Sequence, residues 1–323
     1  MNSSEAVTEN LNTASKKKTG FESDYFTYVE GVGNIPRDIY KYVTSDPMGD
    51  LPRYSRHIVI QHFLIFSTFI VLSLTGLPIF FSKLFWAPRL VAMLGGIETT
   101  TLIHKITASV MIFASAYHLV TVVGGTVRKM LRKEFDYKRT QIPRLQDLYD
   151  MIDDIKFFLG LRSYRPKMGK FMYKQKLHYL AIIWGTLVLI GAGSALLFPD
   201  IVAKLFSSTL GIFLPHISSA EGGGYAAFLQ EIARLMHADE AIMALIVLAL
   251  WHLSNVHLVP GRFPIQWTVL TGRITREHQI EEHFLEYINN LKEIPEEREY
   301  MKRLLIEREL EMKQESNGDD PNE

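Results

Sequence analysis

Four apolar runs constrain this chain more than any other feature. They lie at about 58–82, 100–124, 178–198 and 238–259. A helix rising ~1.5 Å per residue needs ~20 such residues to cross ~30 Å of hydrocarbon, and each run is of that size. Helices apolar on every side have no place on the outside of a water-soluble globule. The expected fold is therefore an all-α integral membrane protein: a four-transmembrane-helix bundle with additional cytoplasmic helices.

Charge sets the expected topology. Residues 125–176 carry 14 Lys/Arg against 6 Asp/Glu, while the 83–99 connection has only Lys83 and Arg89 as basic residues. The first 33 residues of the 199–236 connection have only Lys204. Basic loops stay on the cytoplasmic side, which predicts both termini in the cytoplasm, here of a bacterial inner membrane. The first twenty residues are polar and include Lys16-Lys17-Lys18. They do not read as a cleavable signal, so the first apolar run is expected to act as a signal anchor.

These landmarks divide the chain into four expected parts. Residues 1–20 read as a disordered tail, 21–55 as a cytoplasmic lead-in, 56–264 as the membrane domain and 265–323 as a charged helical tail. Inside the basic connection, the stretch RLQDLYDMIDDIKFFLGL has helical apolar spacing. A single charged helix is expected over about 275–315.

The chain has zero formal net charge and no cysteine. Charge balance gives no field for nucleic acid. The lack of cysteine excludes disulfides, cysteine-ligated iron–sulfur clusters, covalent c-type haem and thiolate nucleophiles. Any cofactor must be held by other side chains.

Histidines supply the candidates, because an imidazole inside a membrane helix is costly without a partner. His104 and His118 are fourteen residues apart in the second run; His237 and His252 are fifteen apart at the fourth. At ~100° per residue these separations close to about 40° and 60°, with ~21–22 Å of rise, so each pair shares one helix face. Two helices each presenting two imidazoles at matched depths suit two stacked b-type haems between helices, each with bis-histidine ligation. His104 with His237 would hold an outer haem. His252 would hold an inner one with either His62, near the inner end of the first run, or His118. Spacing leaves that choice open.

His257 lies about 200° around from His237 and cannot serve the same stack without helix distortion. It is expected to hydrogen-bond near the loop, to contact a propionate, or to join the remaining rival in a third haem. His57, His178 and His216 read as interfacial or loop residues, and His278 and His283 as a solvated face of a charged helix.

At these residues the chain resembles the membrane cytochrome b subunits of the respiratory formate dehydrogenase gamma type and their b/b6-domain relatives, over about 53–290. His62 fourteen residues before Gly76, Leu102-Ile103-His104, Gly169-Lys170-Phe171 with Gln175-Lys176, and His237-Ala238 with the later His252 carry the likeness. Met172 stands where that type has an asparagine that helps bind quinone, and His118 and His257 are absent from it. The two-helix histidine spacing is instead similar to that of b-type cytochromes of photosynthetic bc complexes. The resemblance implies haem b, exchange of electrons with quinone or quinol, and a separate redox subunit: a multihaem cytochrome c, an iron–sulfur or a molybdenum protein. On that reading Arg53, Arg56 and Lys176, at the inner face, are candidates for haem propionates or quinone carbonyls, and Gln175 for a quinone hydrogen bond. Two alternatives remain at this stage. A metal or proton transporter would need carboxylates among the histidines, and only Asp239 and Glu240 qualify, both at one end. A non-catalytic haem anchor would show no turnover with quinol.

Overall fold

The computed structural model describes residues 25–43, 49–205, 224–259 and 263–318. The expected tail at 1–20 and His216 lie outside the described residues. The structure is mostly helical. In chain order it has strands β1 (Phe26–Val29) and β2 (Gly33–Pro36), then helices α1 (Arg56–Phe80), α2 (Ala87–Met93), α3 (Ile97–Leu131) and α4 (Leu145–Phe158). Next come α5 (Tyr173–Leu197), α6 (Gly224–Ile246), α7 (Thr268–Thr271), α8 (Arg276–Glu282), α9 (Phe284–Glu293) and α10 (Pro295–Gly318). These form two compact units, one from residues 53–135 and 178–273, the other from residues up to 52, 136–177 and from 274 on.

In the first unit, α1, α3 and α5 are long and apolar enough to cross a membrane. Their outward faces are bare of protein: Phe63, Phe113, Leu119 and Leu187 are each at least 60% exposed. Apolar surface of that extent fits lipid contact, and helices satisfy their own backbone groups there. At 35 residues α3 outruns the expected 100–124 segment. Gly124 and Gly125 do not stop it, and Arg128 and Lys129 close its last turn, where cations favour the helix dipole.

Helices α1 and α3 meet along a seam that repeats every seventh residue. Gln61, Thr68 and Thr75 are the buried polar positions of α1. Gln61 reaches His118, Thr68 reaches Met111 and Thr75 reaches His104. A period of seven keeps the seam on one side of both helices. Small residues bring α5 against α6: Ala192 and Ala195 pack with Ala233.

The fourth apolar run departs from expectation. Helix α6 carries Glu231, Arg234, Asp239 and Glu240, and the apolar half beyond it passes through a π-helical turn, Val247–His252, before Leu253–Val256 resumes as α-helix. The run is helical to residue 256 but is not one regular apolar span, so three described helices meet the span criterion rather than four.

The approach to α1 is fixed by one glycine. The Gly272 carbonyl accepts from Arg53 N–H at 2.8 Å and Tyr54 N–H at 2.9 Å. Gly272 has φ +72°, and a Cβ there would lie 2.6 Å from the Tyr54 carbonyl oxygen; only glycine fits.

The second unit brings the expected lead-in and tail together. Val29, Ile35 and Ile39 share a core with Ile280, Phe284, Tyr287, Leu291, Met301 and Leu304. Phe284, Tyr287, Ile288 and Leu291 recur at the i, i+3, i+4, i+7 spacing of one helix face and are all buried. The expected 275–315 helix is divided into α8, α9 and α10. Pro295 opens α10, and the residue before a proline is pushed out of helical conformation; Ile294 is extended, at φ −118° and ψ 108°. Buried Arg276 donates to Glu297 at 2.8 Å, and Tyr287 donates to the same carboxylate at 3.3 Å.

Candidate functional site

His62, His104, His118, His178, His237, His252 and His257 all fall in the first unit. The rings of His104 on α3 and His237 on α6 have centroids 6.3 Å apart. Those of His62 on α1 and His252 in the π turn are 6.4 Å apart. An imidazole nitrogen binds a transition metal at ~2.0–2.1 Å with its ring centre ~1.1 Å behind, so two rings on opposite sides of one ion have centres ~6.3 Å apart. Both separations match that spacing. The structure brings His62, and not His118, to His252.

A local contact fixes which nitrogen His104 offers. Nδ1 of His104 is 2.9 Å from Thr75 Oγ1. The Thr75 hydroxyl gives its proton to the Val71 carbonyl at 2.7 Å, so it accepts from His104. Nδ1 therefore carries the hydrogen and Nε2 is bare, the tautomer that ligates metal through Nε2. Nδ1 of His237 faces the Leu189 backbone without closing a hydrogen bond. Each outer ring lies against a glycine: a Cβ on Gly76 would approach His104 Cε1 to 3.1 Å, and one on Gly193 would approach His237 Cε1 to 3.3 Å. A Cβ on Gly185 would collide with the Glu240 carboxylate.

His118 is occupied on both sides. Nδ1 donates to Gln61 Oε1 at 2.9 Å, and Nε2 accepts from the Tyr179 hydroxyl at 2.9 Å. Gln61 donates in turn to Thr121, whose hydroxyl returns to the His118 carbonyl. This closed ring of contacts leaves no ring nitrogen for a metal.

Around His252 the structure gathers more imidazoles than the sequence suggests. His178 stacks on it with centroids 5.0 Å apart and planes at 20°, and His257 lies 6.5 Å away. His178 Nε2 is enclosed and makes no hydrogen bond among the described residues. The π turn explains His257: each wider turn rotates less per residue and re-phases the helix, bringing round a side chain that a regular helix points away. His257 Nδ1 accepts from the Gln266 N–H at 3.0 Å, so its hydrogen sits on Nε2 and that nitrogen is a donor. His178 opens the third apolar run, and that position alone suggests an interfacial residue. Helix α5 begins at Tyr173, more than a turn earlier, which places His178 inside the helix.

The polar candidates have other work. Gln175 Oε1 accepts from the Met172 N–H at 3.1 Å, at the start of α5. Lys176 is 1% exposed and donates to both oxygens of Asp147, at 2.8 and 3.0 Å. Arg53 is buried with its guanidinium over the Tyr54 ring, and Arg56 is exposed in the first turn of α1. His57 Nδ1 is 3.0 Å from the Tyr117 hydroxyl.

Compared with known proteins, the chain matches no family model and no curated sequence.

Proposed function

We propose that this chain is a di-haem b-type membrane cytochrome, the quinone-reactive electron-transfer subunit of a respiratory oxidoreductase. The observation that carries the reading is the pair of imidazole separations, 6.3 and 6.4 Å, each at the spacing of two rings on one iron. In this reading the segment through 238–256 crosses the membrane with α1, α3 and α5 as a four-helix bundle. His104 and His237 hold the outer haem. His62 and His252 hold the inner one, roughly 20 Å away along the helix. When bound, the haem supplies one-electron redox chemistry.

The chain's own residues set the conditions for that chemistry. Thr75 holds His104 in the ligating tautomer, and Gly76 and Gly193 make room for the rings of His104 and His237. The Nε2–H of His257 is a donor for a propionate or a quinone carbonyl beside the inner pair. His118, with both nitrogens bonded, supports two haems over three. With no cysteine to hold an iron–sulfur cluster, onward transfer needs a separate partner: a multihaem cytochrome c, an iron–sulfur or a molybdenum protein. The expected setting is the bacterial cytoplasmic membrane with both termini in the cytoplasm.

The test is reduction by quinol. In membranes holding the protein, a menaquinol or ubiquinol analogue is expected to raise the b-type absorbance, with the increase lost in the His252→Ala variant. Dithionite-reducible haem that quinol never reduces would leave only a haem anchor.

One observation favours a second reading. The rings of His62, His178 and His257 surround that of His252, and a row of neutral imidazoles also suits a path that passes protons or a transition-metal ion. That reading predicts zinc or copper binding by protein that carries no haem.

A further inference from the structure

A second group of candidate metal-binding side chains lies in the other unit, outside the four apolar runs. His278 and Glu282 stand four residues apart on α8 and so share a face. His283 follows as the non-helical residue between α8 and α9, at φ −122° and ψ 43°. That break swings its ring toward the same place: one nitrogen or oxygen from each of the three lies within 4.8 Å of the others.

The details fit a metal better than a solvated helix face. His283 is 2% exposed, and its Nδ1 is 2.9 Å from the Gly169 carbonyl oxygen. A carbonyl only accepts, so Nδ1 carries the hydrogen and Nε2 is bare. An imidazole held through Nδ1 by a backbone carbonyl is oriented as metal-ligating histidines are. His278 Nε2 and Glu282 Oε2 are 3.4 Å apart, which is the ~3.4 Å edge of a tetrahedron whose metal–ligand bonds are ~2.0–2.1 Å. Arg165 acts on Glu282, but it donates twice to Asp154, at 2.8 and 3.1 Å, so much of its charge is balanced there.

We propose that His278, Glu282 and His283 bind one divalent first-row transition-metal ion. Two imidazoles and one carboxylate suit zinc or ferrous iron; calcium and magnesium prefer all-oxygen shells. Three protein ligands leave room for water. Through Gly169, and through Leu285 N–H donating to the Met168 carbonyl at 3.0 Å, the ion would tie the α8–α9 junction to the segment before α5. The proposal is independent of the haem reading.

The test uses the full-length protein in detergent, stripped with a chelator, loaded with zinc, desalted and assayed for zinc per chain. His278→Asn with Glu282→Gln removes two ligands whose side chains are 14% and 12% exposed and which lie outside the apolar core; His283→Asn is the second variant. The wild type is expected to retain one more zinc per chain than either variant and to show a higher thermal midpoint with zinc. Its zinc affinity should exceed that of the double variant at least tenfold. The double variant controls for the intramembrane histidines, which it leaves intact. Equal zinc content and equal thermal midpoints in wild type and double variant would overturn the proposal.

Discussion

Thr75 on α1 decides which nitrogen His104 on α3 presents: its hydroxyl proton is committed to the Val71 carbonyl, and its remaining lone pair takes the His104 Nδ1 hydrogen across 2.9 Å. The contact joins the α1–α3 seam to the candidate outer ligand. A Thr75→Val change keeps the shape and removes the acceptor. Loss of such an orienting partner weakens metal binding by about 10–100-fold. Haemin titration is expected to show that loss at the outer site, with Thr75→Ser close to wild type. Unchanged binding in Thr75→Val would separate Thr75 from ligation.

The inner site turns on His62 against His118. His62→Ala and His252→Ala are each expected to cost one haem of two. His118→Gln is expected to keep both, measured as reduced-minus-oxidised absorbance per chain. Tyr179→Phe strands one buried His118 nitrogen, so it is expected to lower stability by ~1–2 kcal/mol at unchanged haem content. Loss of a haem in His118→Gln with retention in His62→Ala would reverse the assignment.

Gly193 faces His237 closely enough that even a Cβ would sit 3.3 Å from its ring. Gly193→Val is expected to displace that ring and empty the outer site alone, leaving the inner haem's spectrum in place. Full outer-site occupancy in this variant would show that the close approach is incidental.

Asp154, on α4, is fully buried. Burial raises its carboxyl pKa, but Arg165, Lys174 and Tyr173 outweigh that and hold it below the ordinary carboxylate range. A depressed folded pKa gives stability that is complete above the unfolded value, ~3.9, and is lost as pH falls through the folded one. Asp154→Asn is expected to destabilise by ~2–3 kcal/mol near neutral pH. It should also flatten the fall in thermal midpoint below pH ~4. A variant with the wild-type acid limb would assign that limb to other carboxylates.

The legible parts of this chain are those written in local pattern. Apolar length alone marks α1, α3 and α5, and the spacing of Phe284, Tyr287, Ile288 and Leu291 marks an amphipathic helix. Depth along a helix is also local, so it suggests His104 beside His237. It cannot choose between His62 and His118, because what distinguishes them lies across helices: Gln61 on α1 and Tyr179 on α5 occupy both nitrogens of His118, and His62 lies beside His252. The π turn carries no breaker to announce it, so the approach of His257 to His252 is invisible to a regular helical count. The joining of Ile35 and Ile39 to Phe284 and Met301 spans about 250 residues of sequence, beyond the reach of any window. Gln175 and Lys176 read as candidates from their place at the start of α5; that Lys176 pairs with Asp147, 29 residues back, lies beyond any local pattern.

The most direct test of the account is haem stoichiometry: a pyridine haemochrome assay on the purified full-length protein, expressed with haem available and normalised to protein concentration. The account predicts two b-type haems per chain, falling to one in His252→Ala and one in His104→Ala. A folded protein with no haem would contradict it.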